Sequence, residues 1–264
     1  MIERTLNRSY EVSDPNPSTY TPDEELAAIE AKLAEDPDNA QLWMEKGLAL
    51  AGAELYRESE ECYAHAISLE PFNGILYRHM AHRMLSQWRF EDARAGFTIA
   101  SRLIPDNWDV WYHLGLSHFL LRDYEKAAQA YQRCLELSRE VDDFIAVCDW
   151  YYMTERRLGN DEKALALLAN VPDEGYEGEN LDYFERTRMY KGILKPEDVF
   201  PEDFRTLDAI DIITRGFGVS NYYRMNGDVE KADAIVDAII EAGDERECYF
   251  AFGYLAAMVD KSER

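Results

Sequence analysis

Apolar positions recur along this chain on two scales. Locally they follow helical spacing: Trp111, Leu114 and Phe119 share one face, and Ala127, Ala130, Tyr131 and Cys134 share another, with a turn at Leu121-Arg122-Asp123 between them. At longer range the pattern returns every 34 residues. Trp43, Tyr77 and Trp111 share a register, as do Gly47, Ala81 and Gly115, and Tyr56, Phe90 and Tyr124. The same step relates Ser59, Ala93 and Ala127, then Tyr63, Phe97 and Tyr131, then Ala66, Ala100 and Cys134, then Leu69, Leu103 and Leu137. Pro71 and Pro105 share a position that Arg139 occupies in the third copy. Self-similarity with a period of a few tens of residues marks an array of stacked supersecondary units.

Each copy predicts a helix hairpin. Small residues such as Gly115 and Ala127 allow close approach of its two helices, large rings fill the spaces to the next copy, and a proline ends the second helix. Three copies span residues 40–73, 74–107 and 108–141. A fourth is predicted over 145–178, with Leu158-Gly159-Asn160-Asp161 as its turn. Asn226-Gly227-Asp228 is the same turn again, in a last copy starting near Ile213. Between them, 180–192 reads as a helix, and Pro196 and Pro201 then interrupt the pattern, as a degenerate hairpin or a lid-like insertion. Residues 179–264 are thus expected to hold degenerate helical repeats and a closing helix, Glu245 to Val259. In front, residues 21–39 predict a lone capping helix whose start is signalled by Thr21-Pro22-Asp23-Glu24. Residues 1–20, polar and containing Pro15 and Pro17, are expected to form a flexible or extended arm.

The W-x-x-L-G opening, the turn tyrosine, the alanine and aromatic of the second helix and the closing proline resemble the tetratricopeptide repeat family over residues 40–141. Ala81, Ser59 and Arg139 are mild departures. The segment Gly216–Tyr223 with Phe252-Gly253-Tyr254 also resembles bacterial members. The resemblance implies an all-α fold: a right-handed superhelical solenoid of antiparallel helix hairpins with capping helices at both ends. It further implies a protein–protein interaction scaffold whose first helices line a concave groove. The family's groove positions fall here on Met44, Leu48, Ile75, Arg78, His79, His82, Tyr112, His113, Leu116, Asp149, Trp150 and Met153. Some members grip a C-terminal carboxylate with paired Lys and Asn in the first repeat. Met44 and Leu48 stand at those positions and His79 at the second-repeat Asn, so that clamp is absent.

Composition narrows the reading. The 264 residues carry 28 Lys and Arg against 52 Asp and Glu, a net charge of −24. Such a field repels phosphate backbones and anionic lipid, which argues against nucleic-acid or membrane partners, and it steers basic partners inward. The groove positions are less acidic than the chain as a whole, and their rings and methionines suit capture of a peptide or helix. Two readings stay open for each ring: contact with a partner, or packing against neighbouring helices. Cys62, Cys134, Cys148 and Cys248 form no C-x-x-C pair and read as small buried hydrophobes, not a disulfide framework or a zinc site. No apolar core of a secretory signal and no long apolar span is evident, so a cytoplasmic location is expected. No H-E-x-x-H, G-x-S-x-G, Walker loop or G-x-G-x-x-G occurs, so neither enzymatic activity nor a cofactor is expected. Two alternatives to a binding module remain: self-association through the apolar stripe Cys248–Met258, and a ligand or metal sensor built on His79, His82 and His113.

Overall fold

A computed structural model of the protein describes residues 21–262; the arm expected over residues 1–20 lies outside them. All regular structure among the described residues is helical. The chain divides into two compact units, Met1–Ser117 and His118–Arg264.

In the first unit, α1 (Glu24–Glu35), α2 (Ala40–Gly52), α3 (Tyr56–Leu69), α4 (Gly74–Ser86) and α5 (Phe90–Leu103) follow one another, and α6 (Trp108–Leu120) begins. Each of α1 to α4 packs on the next. Three local devices repeat with the sequence period. The helices α2, α4 and α6 open behind Asn39, Asn73 and Asn107, whose side chains accept from the amides of Leu42 (3.2 Å), Ile75 (3.2 Å) and Val110 (3.0 Å), satisfying otherwise orphaned donors. The ring of each first helix then donates to a carbonyl six residues upstream: Trp43 to Pro37 (2.8 Å), Tyr77 to Pro71 (3.1 Å) and Trp111 to Pro105 (2.8 Å). The hairpin turns place Glu54, Trp88 and Arg122 in the left-handed region, at φ 60°, 65° and 62°.

Close approach of the hairpin helices is solved differently in successive repeats. In the first, Gly47 lies against the ring of Tyr63; a Cβ there would sit 2.6 Å from Cε1. Ser59 replaces the family's alanine, and its hydroxyl donates to the Gly47 carbonyl at 2.7 Å. In the second repeat the glycine has become Ala81, and the facing helix compensates with Gly96, whose Cβ would fall 2.8 Å from that of Ala81. The departure at Ala81 is therefore matched by a second small residue on the partner helix.

The second unit contains α7 (Tyr124–Leu137), α8 (Val141–Arg157), α9 (Asp161–Leu167), α10 (Leu181–Tyr190), the one-turn α11 (Pro196–Val199), α12 (Ala209–Met225), α13 (Val229–Arg246) and α14 (Phe252–Lys261). Its organiser is α8, which packs on α7, α9, α10 and α12; α12 pairs with α13, and α14 lies on both. The second helix of the fourth hairpin is short. A 3-10 turn, Leu168–Asn170, ends it, because Pro172 drives Val171 into extended backbone at φ −107°, ψ 134°.

Two boundaries differ from the sequence reading. The first helix is capped by Asp23, which accepts from Leu26 N at 2.8 Å, not by Thr21, so Pro22 precedes the cap. The closing helix does not begin at Glu245. Instead α13 runs to Arg246, Glu247 turns left-handed at φ 56°, and α14 starts at Phe252. Gly243 makes the return possible, since a Cβ there would lie 2.2 Å from the Tyr254 ring.

Candidate partner-binding surface

The twelve predicted groove residues separate into two groups. On α2 and α4, Leu48 is 42% exposed, and Met44, Ile75, Arg78, His79 and His82 are half-buried. On α6, Tyr112 and His113 are only 6% and 5% exposed, and Leu116 is fully buried. On α8, Asp149, Trp150 and Met153 are fully buried and line no open groove, which corrects the sequence reading for these three. The physical reason is that α10 and α12 pack onto the same side of α8. Phe217 of α12 stacks on Trp150 at 5.7 Å and meets Phe119 edge-on at 6.2 Å. Arg186 of α10 reaches Asp149 at 2.7 Å and Met153 Sδ at 3.2 Å.

The histidines are brought only partly together. His82 and His113 meet edge-on with ring centroids 4.7 Å apart, and His113 also stacks on Phe97 at 5.5 Å. His79 instead stacks on Tyr63 at 5.6 Å, with its Nδ1 3.1 Å from Arg78 Nη1. Nδ1 of His82 meets the Arg83 guanidinium, and Nδ1 of His113 lies 2.8 Å from the Asp109 carbonyl oxygen. Burial, reinforced by Arg78 and Arg83, pushes His79 down to about 4; burial, His113 and the same arginines hold His82 well below its ordinary value. Both are therefore neutral at physiological pH. Among the described residues no group of three or more His, Cys, Asp or Glu is placed to hold a metal ion.

Arg78 is not a free cation either. Its guanidinium grips Asp109 through Nε and, at 2.8 Å, through Nη2. Burial alone would raise the Asp109 carboxyl, but His113 and Arg78 overrule it and hold it well below the usual carboxylate range. The exposed part of this face is thus apolar and uncharged in effect: Met44, Leu48 and Ile75 beside a neutralised polar cluster.

Sequence reasoning missed the buried ion pairs of the second unit. Arg186 is fully buried, donates to the Thr214 carbonyl at 2.9 Å, and needs Gly218, since a Cβ there would lie 2.1 Å from its Nε. Burial pushes the Asp149 carboxyl up to about 7 even with Arg186 pulling against it. A second pair joins Arg157 to Asp260 through two hydrogen bonds of 3.0 and 2.7 Å, and Asn221 accepts from Arg157 Nε at 2.7 Å. The available signal was a charge set among apolar neighbours: Asp149 between Val147-Cys148 and Trp150-Tyr151, and Asp260 after Ala256-Ala257-Met258-Val259. Much of the stripe Cys248–Met258 is used internally, because Gly253, Tyr254, Leu255, Ala256 and Ala257 are buried while α14 packs on α12 and α13; Phe250 stays 40% exposed. Three of the four cysteines are buried and all four are free thiols; burial pushes Cys148 up to about 12.

Residues 40–73 and 108–140 each match the family model described as tetratricopeptide repeat. A heat-shock cognate co-chaperone, sgt12, of Aspergillus fumigatus is 29% identical over 103 residues, which is 39% of this chain and 30% of that protein. The Hsp70-Hsp90 organizing protein of Triticum aestivum is 34% identical over 92 residues, 35% of this chain and 16% of its own length. The chain therefore matches less than a third of either relative. The crystal structure of YrrB, described as a TPR protein with an unusual peptide-binding site, superposes with a TM-score of 0.51 at 17% identity, covering 89% of this chain and 99% of that one, which is a likeness of fold. With these matches, the 34-residue step and consecutive helix-pair packing, residues 40–73 and 108–140 are tetratricopeptide repeats within an all-helical chain.

Proposed function

We propose that the protein is a non-enzymatic adaptor that holds a peptide or protein segment against the first-helix face of its two N-terminal repeats. The observation that carries this reading is the contrast within the family's groove positions. Met44, Leu48 and Ile75 on α2 and α4 keep apolar surface available, whereas Asp149, Trp150 and Met153 on α8 are spent on the chain's own packing. Single exposed apolar residues are ordinary, but these three share the register the family uses for ligands. The polar groups beside them are neutral or internally paired, so the contacts offered are apolar burial and uncharged hydrogen bonding. The heat-shock partners in the relatives' names do not carry over: Met44 and Leu48 stand where a carboxylate clamp needs Lys and Asn. A cytoplasmic setting is part of this proposal. Among the described residues no helix is long and apolar enough to cross a membrane.

The test compares the full chain with a Met44→Ser/Leu48→Ser variant in quantitative affinity capture from a lysate of the source cell. Both positions face solvent at least in part, so the variant should melt within a few degrees of the parent. The expected result is a set of proteins retained by the parent and depleted from the variant. Identical retained sets would refute the assignment of this face.

A further inference from the structure

The N-terminal end of the first unit holds a feature that the adaptor face does not use. α1 is a single helix where later repeats have two, and a cleft of about 530 Å3 stays open between α1, α2 and α3. Its α3 wall is one helix face, because Glu58, Glu61, Cys62 and His65 lie three and four residues apart. Its floor is apolar: Leu26, Leu50, Leu55 and Cys62 form one cluster, with Trp43 packed against it. The His65 ring lies 4.2 Å from that of Trp43.

The rim is acidic. Glu30, Glu58 and Glu61 face a single cation, Lys46, and Glu30 already pairs with it at 2.8 Å. Glu58 and Glu61 have no ion pair among the described residues. Their field reaches the floor: burial first, then Glu61, Glu30 and Glu58, push the Cys62 thiol up to about 11 against the opposing Lys46. A chain of net charge −24 also steers basic partners toward it. Apolar floor, aromatic wall and two unmatched carboxylates together form the complement of an amphipathic cationic helix.

We propose that this cleft docks an amphipathic basic helix of a partner protein, its lysine or arginine side chains meeting Glu58 and Glu61 and its apolar side chains lying on the floor beside Trp43. The site rests on the adaptor reading only in supplying a second contact for a protein partner, and it shares no residue with the Met44, Leu48 and Ile75 face.

The probe is a labelled 18-residue synthetic helix with leucine on one face and lysine on its flanks, titrated against the full chain by fluorescence anisotropy. Glu58→Lys/Glu61→Lys should weaken binding about tenfold or more. Glu174→Lys/Glu177→Lys, an equal charge change on an exposed loop of the second unit, should change it less than about twofold, as should Met44→Ser/Leu48→Ser. Unaltered melting temperatures would establish that all three variants fold. The site is overturned if the first variant binds like the parent, if both charge reversals weaken binding equally, or if no binding is measured. Loss in the Met44/Leu48 variant alone overturns it too, while leaving the adaptor face standing. A free peptide of residues 1–20, which contains Arg4 and Arg8, serves as competitor. If it displaces the probe more effectively than unlabelled probe does, the cleft belongs to the chain's own start and not to a partner.

Discussion

Replacing Arg186 by methionine tests the energetics of the second unit most directly. The guanidinium is fully buried and reaches three elements: Asp149 on α8 at 2.7 Å, the Thr214 carbonyl on α12 at 2.9 Å, and Tyr190 on its own helix at 3.5 Å. Methionine matches its length but leaves Asp149 in the interior without a counterion. Breaking a buried pair from one side costs about 3–5 kcal/mol, whereas replacing both partners with apolar residues is close to neutral or stabilising. Above pH 7, where Asp149 is ionised, Arg186→Met should therefore lose about 3–5 kcal/mol, and Asp149→Leu/Arg186→Met should regain most of it. The pH dependence carries a sign. Burial already raises the Asp149 carboxyl from 3.8 to about 7 in the parent, so the folded state holds a proton that the unfolded state has released. The contribution of this group is full below pH 3.8 and is lost as pH rises through 7. Without Arg186 the shift grows; parent and variant lose stability in parallel from pH 4 to 7, and the deficit of the variant should deepen by up to about 1.4 kcal/mol per pH unit above pH 7. Hydrogen exchange followed on peptides from α8, α10 and α12 reads this unit separately from Met1–Ser117. A loss below about 1 kcal/mol, or a double variant no better than the single one, would refute the pair as the energetic link between α8 and α10.

Three further outcomes are expected. Gly47→Ala places a methyl 2.6 Å from the fully buried Tyr63 ring and should cost about 1–3 kcal/mol by overpacking, read as a lower midpoint in urea. Asp260→Ala removes the carboxylate partner of Arg157, while Arg224 keeps Asp233 at 2.7 Å, and should release α14 first, seen as faster amide exchange over Phe252–Lys261 with α8 still protected. His79, lowered to about 4, should make the first unit gain stability as pH rises from 4 to 6.5, opposite to the trend Asp149 gives the second; exchange in α4 at both pH values, corrected for intrinsic rates, checks it.

The hairpins were legible because a 34-residue step samples the same physical problem repeatedly. The ring at 43, 77 and 111 always seals the preceding proline turn, and the small residue at 47 or 81 always faces the second helix. Where the chain solves that problem once, the pattern is weak. The α13–α14 boundary depends on a single left-handed Glu247, a conformation no sequence pattern signals for glutamate. The cap at Asp23 was obscured because Thr21 and Asp23 are both good capping residues, and only the geometry of Leu26 N chooses between them.

The groove positions show a different limit. Register fixes which side of a first helix a residue occupies: Met44, Arg78 and Tyr112 are each the fifth residue of their helices, whereas Asp149 lies about one turn further along α8, which starts at Val141. It does not fix what lies against that side, because that depends on where the following chain goes. On α2 and α4 the face keeps exposed apolar surface. On α8 the same face receives Phe217 and Arg186 from segments thirty or more residues away, admitted by one glycine, Gly218. A buried aspartate at a ligand position is the trace of that event. An unpaired carboxylate costs several kcal/mol in the interior, so its presence requires a cation from elsewhere in the chain. Asp149 therefore argued against an open groove at the fourth repeat as soon as its apolar surroundings were known, and a cation on a later helix, here the fully buried Arg186, was the partner to seek.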